Sequence, residues 1–177
     1  MFRRTFLAAG LALAGAGQRV WAQLADGAPR YFPLRQPITI PLDAVKAPWE
    51  PVTFTAEAMA PATATTATRR VLITGVLFRK GAASPSGELS ALCLTCPHEQ
   101  CKVDLINDPS RLKEMTGGST THPLFECGCH GSVFDAAKEG ERISGETPRG
   151  LYRFRITRLT EGVVEIGEIE EVALYEV

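Results

Sequence analysis

Two short blocks, CPHEQC at residues 96–101 and CGCHGS at residues 127–132, hold four of the five cysteines and two of the three histidines of this 177-residue chain. Thiolates and imidazoles are the usual protein ligands of zinc and of iron–sulfur clusters. Either block alone would be a weak signal. Together, in this order, they predict one metal site to which both blocks contribute.

The pattern Cys-x-His followed by Cys-x-x-His-Gly-Ser resembles the Rieske [2Fe-2S] family, specifically its disulfide-containing branch found in cytochrome bc-type complexes. The resemblance implies a [2Fe-2S] cluster with four metal ligands: Cys96, His98, Cys127 and His130. It further implies that the remaining cysteine of each block, Cys101 and Cys129, join in a disulfide that bridges the two loops.

Mixed ligands have a physical consequence in such a site. Thiolates stabilise ferric iron, whereas neutral imidazoles remove negative charge from the iron that they bind and make it easier to reduce. The outward nitrogen of each imidazole loses its proton more readily when the iron is ferric, so electron uptake is coupled to proton uptake. His98 and His130 are therefore expected to be both ligands and the contact with the redox partner.

Two other interpretations use the same residues. A tetrahedral Cys2His2 set could bind zinc, because several ligand spacings occur in zinc sites. Zinc fingers, however, do not combine Cys-x-His in one turn with Cys-x-x-His-Gly-Ser. The cysteines could also form structural disulfides without any metal.

Three further features of the resemblance concern the surroundings of the cluster. Ser132 matches the serine that donates a hydrogen bond to a cluster sulfide, and it is assigned to cofactor binding. Phe134 stands where relatives carry a tyrosine that hydrogen-bonds a ligand sulfur, so a lower potential is expected. The segment at 144–151 resembles the proline-containing loop that covers the cluster, although Glu146 replaces one proline.

The remaining cysteine and histidine are interpreted structurally. Cys93 lies in an apolar run, and because Cys96 is already assigned to the metal, Cys93 is expected to be a buried free thiol. His122 precedes a proline between the blocks and is expected to be a surface or packing residue.

The N-terminal segment MFRRTFL is followed by Ala/Gly/Leu-rich sequence and resembles a twin-arginine export signal. The apolar stretch from Thr5 to Gly17 would span about 20 Å as a helix, against roughly 30 Å of hydrocarbon. We therefore predict a signal segment at 1–22, cleaved before Gln23, and a periplasmic protein with a disulfide. The alternative is an uncleaved signal that anchors the protein in the inner membrane.

Beyond this segment, about 155 residues suffice for one domain. A net charge of −1 and a pI near 6.3 give no reason to expect nucleic-acid binding. Residues 23–37 are predicted to be a linker and 38–177 a Rieske domain. Strand-like runs occur at 38–42, 52–56, 70–78, 88–95, 151–159, 162–166 and 172–175. The predicted fold is all-β: an antiparallel β-sandwich with an inserted small cluster-binding subdomain at about 94–150, in which 107–115 could form a helical turn.

The resemblance implies a one-electron carrier subunit rather than a stand-alone enzyme. In a bc-type complex, it would accept an electron from quinol and pass it to a c-type cytochrome, with cytochrome b and c subunits as partners. The alternative is the small subunit of a periplasmic molybdenum oxidoreductase of the arsenite-oxidase type, whose partner is a molybdopterin catalytic subunit. A Rieske oxygenase or its ferredoxin is disfavoured because that branch generally lacks the two bridging cysteines.

Overall fold

The computed structural model of the protein describes residues 28–81 and 88–176. Within these ranges the chain forms mostly short strands, with one 3-10 turn at Leu42–Val45. The strands and helices, in chain order, are β1 Tyr31–Pro41, β2 Val52–Ala60, β3 Arg69–Arg79, β4 Leu89–Cys93, β5 Val103–Ile106, α1 Pro109–Thr116, β6 Leu124–Cys127, β7 Ser132–Asp135, β8 Glu141–Ser144, β9 Phe154–Leu159, β10 Val163–Glu170 and α2 Ala173–Glu176.

The base of the molecule is a six-stranded antiparallel sheet in the order β4-β3-β2-β1-β10-β9. β1 and β2 pair at Leu34 and Ala58, so two three-stranded halves meet there and share one apolar core. A bridge between Leu92 and Arg153 brings the two edges of the sheet together, and the sheet nearly closes into a barrel. The predicted all-β fold is confirmed.

The burial pattern of β3 records where the second part of the molecule attaches. Val71 and Ile73 are buried while Leu72 and Thr74 are exposed, as expected for a strand with one face against the core. From residue 76 to residue 78, successive side chains are all buried. Both faces of β3 are therefore covered at this end, one by the base core and the other by the predicted cluster-binding subdomain.

The cluster-binding subdomain is a four-stranded antiparallel sheet in the order β5-β6-β7-β8. Each of its strands is only four residues long, which is too little to build a separate core. Phe125 and Phe134 instead pack with Val76, Phe78 and Leu92 of the base in a second apolar cluster. These shared apolar contacts attach the subdomain to the base.

A short helix, α1, lies between β5 and β6, where the sequence predicts a helical turn at 107–115. The side chain of Asp108 accepts a hydrogen bond from the backbone N–H of Arg111 at 2.8 Å and caps the helix, and Pro109 occupies its first turn. Gly117 ends it with a positive φ of 63°. The caps explain why so short a segment is helical.

Two segments differ from the sequence-based prediction. β1 begins at Tyr31, inside the segment 23–37 that was predicted to be a linker. The register of β1 against β10 shifts between Pro33 and Ile38, and this irregularity accommodates prolines that cannot donate to the ladder.

The second difference is at the C-terminus. The segment 172–175 is predicted to be a strand, but Val172 lies in a turn and the three residues after it belong to the helical turn α2. Leu174 donates to the carbonyl of Glu171 at 3.0 Å, so the chain turns immediately after β10 ends. Ala173 and Leu174 are both buried against the base, and four apolar residues cannot by periodicity alone distinguish a strand from such a turn.

The predicted signal segment 1–22 and its cleavage site before Gln23 lie outside the described residues. Among the helices at 28–81 and 88–176, none has the length and apolar character needed to cross a bilayer.

Candidate metal centre

The two cysteine- and histidine-containing blocks form neighbouring loops at one end of the small sheet. Residues 96–101 connect β4 to β5, and residues 128–131 connect β6 to β7. Because Val103 at the start of β5 pairs with Cys127 at the end of β6, the antiparallel ladder places the two loops side by side. Residues about 30 positions apart in sequence are thereby brought into one site.

Each loop is held by its own backbone. In the first loop, the amide of Cys96 donates to the carbonyl of Cys101 at 2.8 Å, and Gln100 adopts a positive φ of 59°. In the second, Gly131 donates to the carbonyl of Cys127 at 3.0 Å and has a φ of 63°. Glycine adopts that left-handed conformation without steric cost.

A disulfide joins the two loops. Cys101 and Cys129 are bonded, with their Cα atoms 6.5 Å apart and a separation of 28 positions in sequence. Closing a loop of that length reduces the entropy of the unfolded chain by an amount equivalent to about 3.5 kcal/mol. The pairing is the one that the resemblance implies.

The other cysteine of each block is a free thiol. Cys96 and Cys127 are each 1% exposed. Burial raises the pKa of the Cys96 thiol; a backbone hydrogen bond from His98 opposes this shift, and contact with Cys127 adds to it. Such thiols lose their protons only when a cation compensates the charge, as a bound metal does.

The two histidines of the blocks meet edge to face. The ring centroids of His98 and His130 are 4.8 Å apart, with 75° between the ring planes. Nδ1 of His98 is buried and has no hydrogen-bond partner in the part of the chain that the structure describes, whereas the side chains of His98 and His130 remain 26% and 38% exposed. One edge of His98 thus faces the interior of the site, and the paired rings are accessible to solvent.

An exposed carboxylate stands beside the outward nitrogen of each ring. Nε2 of His98 lies 3.9 Å from the carboxylate of Glu146, and Nε2 of His130 lies 3.7 Å from that of Glu99. Both glutamates are more than half exposed. We call these two glutamates the acidic rim. The sequence analysis did not assign Glu99 any role, because its proximity to His130 depends on the folded loops.

Ser132 offers a further unpartnered group. Its hydroxyl is buried without a hydrogen-bond partner among the described residues. The loop at 144–151 packs directly on it: a Cβ added at Gly145 would lie 2.5 Å from the Ser132 oxygen, and Gly145 has a φ of 96°. Only glycine fits there, so this loop covers Ser132 at contact distance.

The covering loop has polar supports that the sequence analysis missed. Arg142 donates from Nη1 to the carbonyls of Gly145 and Thr147, at 3.2 and 3.1 Å. Thr147 is fully buried, and its hydroxyl donates to the carbonyl of Arg149 at 2.9 Å. These bonds stiffen the loop where Glu146 replaces the expected proline.

The remaining residues of interest pack the surroundings. Phe134 is fully buried in the shared apolar cluster. Cys93 is a buried free thiol, as predicted, and burial raises its pKa to about 11. His122 is the predicted packing residue: its Nε2 lies 2.7 Å from Asp135, and its ring stacks on Trp49 with centroids 5.9 Å apart.

The residues present fit a [2Fe-2S] cluster. The site combines two buried free thiols, two paired imidazoles and two buried polar atoms, His98 Nδ1 and Ser132 Oγ, to which none of the described residues hydrogen-bonds. Soft thiolate and imidazole donors in this number suit iron–sulfur chemistry. The cluster would be held by Cys96, His98, Cys127 and His130, and when bound it takes up and releases one electron.

Comparison with known proteins agrees with this site. The family model described as the Rieske [2Fe-2S] domain matches residues 49–155, which is more than half of the chain and includes both loops and the covering segment. A search of curated proteins gave no match. The chain therefore belongs to the Rieske [2Fe-2S] domain family.

Proposed function

We propose that this protein is the electron-transfer subunit of an exported respiratory complex of the bc type, which accepts an electron from quinol and passes it to a c-type cytochrome. Transfer of single electrons is the general function that a Rieske domain implies. The choice of complex rests on the resemblance of the two loops, with their disulfide, to the bc-type branch.

One observation supports electron exchange at the paired rings of His98 and His130, which we call the histidine tip. Cys96 and Cys127 are almost wholly buried, whereas the rings of His98 and His130 are partly exposed. The imidazole edges are therefore the shortest route between the site and a partner. At this surface, a ring nitrogen can accept a hydrogen bond from a quinol hydroxyl and hold the proton that leaves with the electron.

The other residues prepare the site for this exchange. The disulfide holds the two loops together, and the covering loop excludes water from Ser132. The Ser132 hydroxyl is buried and has no hydrogen-bond partner among the described residues, so its donor is free. A donor held there stabilises negative charge on a bound group and raises its potential.

The acidic rim favours a second candidate, the small subunit of a molybdenum oxidoreductase of the arsenite-oxidase type. Quinol is neutral and largely apolar, and two exposed carboxylates beside the imidazoles make the tip hydrophilic. Over residues 28–81 and 88–176, no Lys or Arg nitrogen lies within 4.0 Å of the Glu99 or Glu146 carboxylate. A polar protein partner would suit this tip better than an apolar pocket does.

Isolation of the native complex separates the two candidates. Tagged protein is purified from its own host in mild detergent, and haem and molybdenum are measured in the product. Stoichiometric haem, together with rapid reduction of the protein by decylubiquinol, would support the bc-type assignment. Molybdenum without haem, and no reaction with decylubiquinol, would replace that assignment with the second candidate.

The acidic rim can be tested within either complex. Glu99→Gln and Glu146→Gln should each weaken the ionic-strength dependence of electron exchange if the rim faces a charged protein surface. Glu161→Gln removes the same charge from the turn between β9 and β10 and is the matched control. Equal salt dependence in all three variants would exclude a role of the rim in docking.

We further propose that the protein is exported by the twin-arginine route and is periplasmic after cleavage before Gln23. Arg19 interrupts the apolar stretch and disfavours its retention as a membrane span. N-terminal sequencing of the mature protein and cell fractionation test this. An intact leader that resists carbonate extraction from washed membranes would instead support an anchored subunit.

A further inference from the structure

Glu170, at the end of β10 in the base sheet, is a buried carboxylate with no place in the metal centre. It is 1% exposed, far from the usual environment of a glutamate. A buried charge is strongly unfavourable unless it is paired.

The partners of Glu170 are two arginines. Arg149 contacts Oε2 of the carboxylate, and Nε of Arg153 lies 3.0 Å from Oε1. The contact with Arg153 lacks hydrogen-bond geometry and is an ion pair only. The contact with Arg149 is a hydrogen-bonded ion pair. Arg149 is thus the partner that the carboxylate holds in a defined position.

Arg149 belongs to the covering loop at 144–151, not to the base. Its guanidinium lies over the ring of Tyr152, 4.8 Å from the centroid, so the arginine is held on two sides. Its carbonyl accepts the hydroxyl of Thr147, whose own carbonyl is held by Arg142. Gly145, two residues before Thr147, contacts Ser132 in the metal centre.

We propose that Glu170 is a positioning residue of the metal centre, which presses the covering loop onto Ser132 through its ion pair with Arg149. The base sheet thereby controls how tightly the centre is closed to water. This role does not depend on which redox partner the protein serves. Glu170 itself lies outside both ligand loops.

The matched control is Glu168, two residues earlier on the same strand. Its carboxylate pairs with Arg155 at 2.7 Å, across the β9–β10 ladder and away from the covering loop. Glu170→Gln and Glu168→Gln therefore each remove one negative charge from β10, the first together with the ion pairs to Arg149 and Arg153 and the second together with the ion pair to Arg155. Only the first removes an ion pair between the covering loop and the base.

The test compares both variants with the parent, as full-length cluster-loaded proteins and as metal-free proteins, by hydrogen exchange with mass spectrometry. In Glu170→Gln, exchange of the 144–150 amides should accelerate by roughly tenfold or more, as expected for the loss of a charged hydrogen bond. Strands β2 and β3 should keep their protection. The visible absorbance of the cluster should also decay faster in this variant, whereas Glu168→Gln should behave like the parent in both measurements.

Two results would overturn the proposal: unchanged exchange at 144–150 in a folded Glu170→Gln protein, or equal acceleration in Glu168→Gln. If Glu170→Gln does not fold, Arg149→Lys decides the matter, because it leaves a cation beside the carboxylate but loses the planar guanidinium contact. Faster exchange confined to 144–150 in that variant supports the proposal. Parental exchange there refutes it.

Discussion

The base sheet and the cluster-binding subdomain are stabilised in different ways. The base has strands of up to 11 residues and one continuous apolar core, so it is stabilised by burial and by long ladders. The subdomain has strands of four residues, a disulfide and two loops of functional residues, and it holds buried polar atoms that find no hydrogen-bond partner within residues 28–81 and 88–176. Loss of the cofactor or of the disulfide should therefore affect the subdomain far more than the base.

The comparison is tested most severely by removing a ligand. His98→Ala or His130→Ala should abolish the cluster, because the mixed ligand set is then incomplete. We expect the parent to contain two irons and two acid-labile sulfides per chain. On reduction it should give an electron paramagnetic resonance signal with an averaged g value below 2, and each variant should lose that signal. Far-ultraviolet circular dichroism should show that the sheet persists.

Cys93→Ala is the control for ligand removal, since it changes a buried cysteine in the base only three residues before Cys96. It should retain iron, sulfide and the electron paramagnetic resonance spectrum. Stoichiometric zinc without labile sulfide in anaerobically prepared parent protein would contradict the cluster assignment.

Removal of the disulfide should have the next largest effect. Cys101→Ser should assemble the cluster but lose it faster, because the loops are no longer joined and about 3.5 kcal/mol of loop-closure stabilisation is removed. Cluster lifetime by visible absorbance measures the effect. Hydrogen exchange should accelerate in the two loops and leave β2 and β3 unchanged; equal acceleration in the base would show that the two regions are not energetically distinct.

Alkaline titration tests the base through Cys93. Burial raises its pKa from 9.0 to about 11, so the folded protein keeps a thiol proton that the unfolded chain loses. The contribution of this thiol to the free energy of unfolding is complete below pH 9. It declines by about 2–3 kcal/mol in total as the pH rises towards 11. Denaturant titrations at pH 8 and pH 11 should show this decline in the parent.

Cys93→Ala should lack this component of the decline, and the difference between parent and variant isolates the thiol from all other titrating groups. If parent and variant lose the same free energy between the two pH values, Cys93 is not buried as a neutral thiol.

The smallest expected effect concerns the potential. Phe134 lacks a hydroxyl, and Phe134→Tyr should raise the midpoint potential by tens of millivolts if the new hydroxyl donates to a ligand sulfur, since charged hydrogen bonds are worth about 1.5–3 kcal/mol. Ser132→Ala should lower it. Protein-film voltammetry at fixed pH measures both.

A structure of the tyrosine variant provides the control for that measurement. If its hydroxyl lies within bonding distance of the Cys127 or Cys96 sulfur and the potential is unchanged or lower, the hydrogen-bond account of this position is wrong.

The part of the site predicted from sequence is the part whose chemistry is local in the chain. Cys96 with His98, and Cys127 with His130, sit in blocks of six residues, and the types and spacing of their side chains suffice to predict a metal site and a family. The alternation that predicts the base strands is local in the same sense. Turn chemistry likewise predicts α1, because Asp108, Pro109 and Gly117 act on their immediate neighbours.

The four short strands of the subdomain could not be predicted in this way. Residues of β5, β6 and β7 are buried in the apolar cluster with Val76 and Phe78 of the base rather than by a pattern of their own, and β8 is exposed along its whole length. The strand in the predicted linker and the helical turn at the C-terminus depend likewise on partners elsewhere in the chain.

By itself, the sequence determined the ligand chemistry, the family resemblance and the all-β class, since each of these is encoded in short blocks or in a two-residue period. Only the tertiary structure decided that Glu99 and Glu146 stand beside the histidines, and that Glu170 reaches the covering loop through Arg149, 21 residues earlier. The physical reason is that an ion pair forms between any two oppositely charged side chains that folding brings within a few ångströms. Their separation along the chain does not predict the pair.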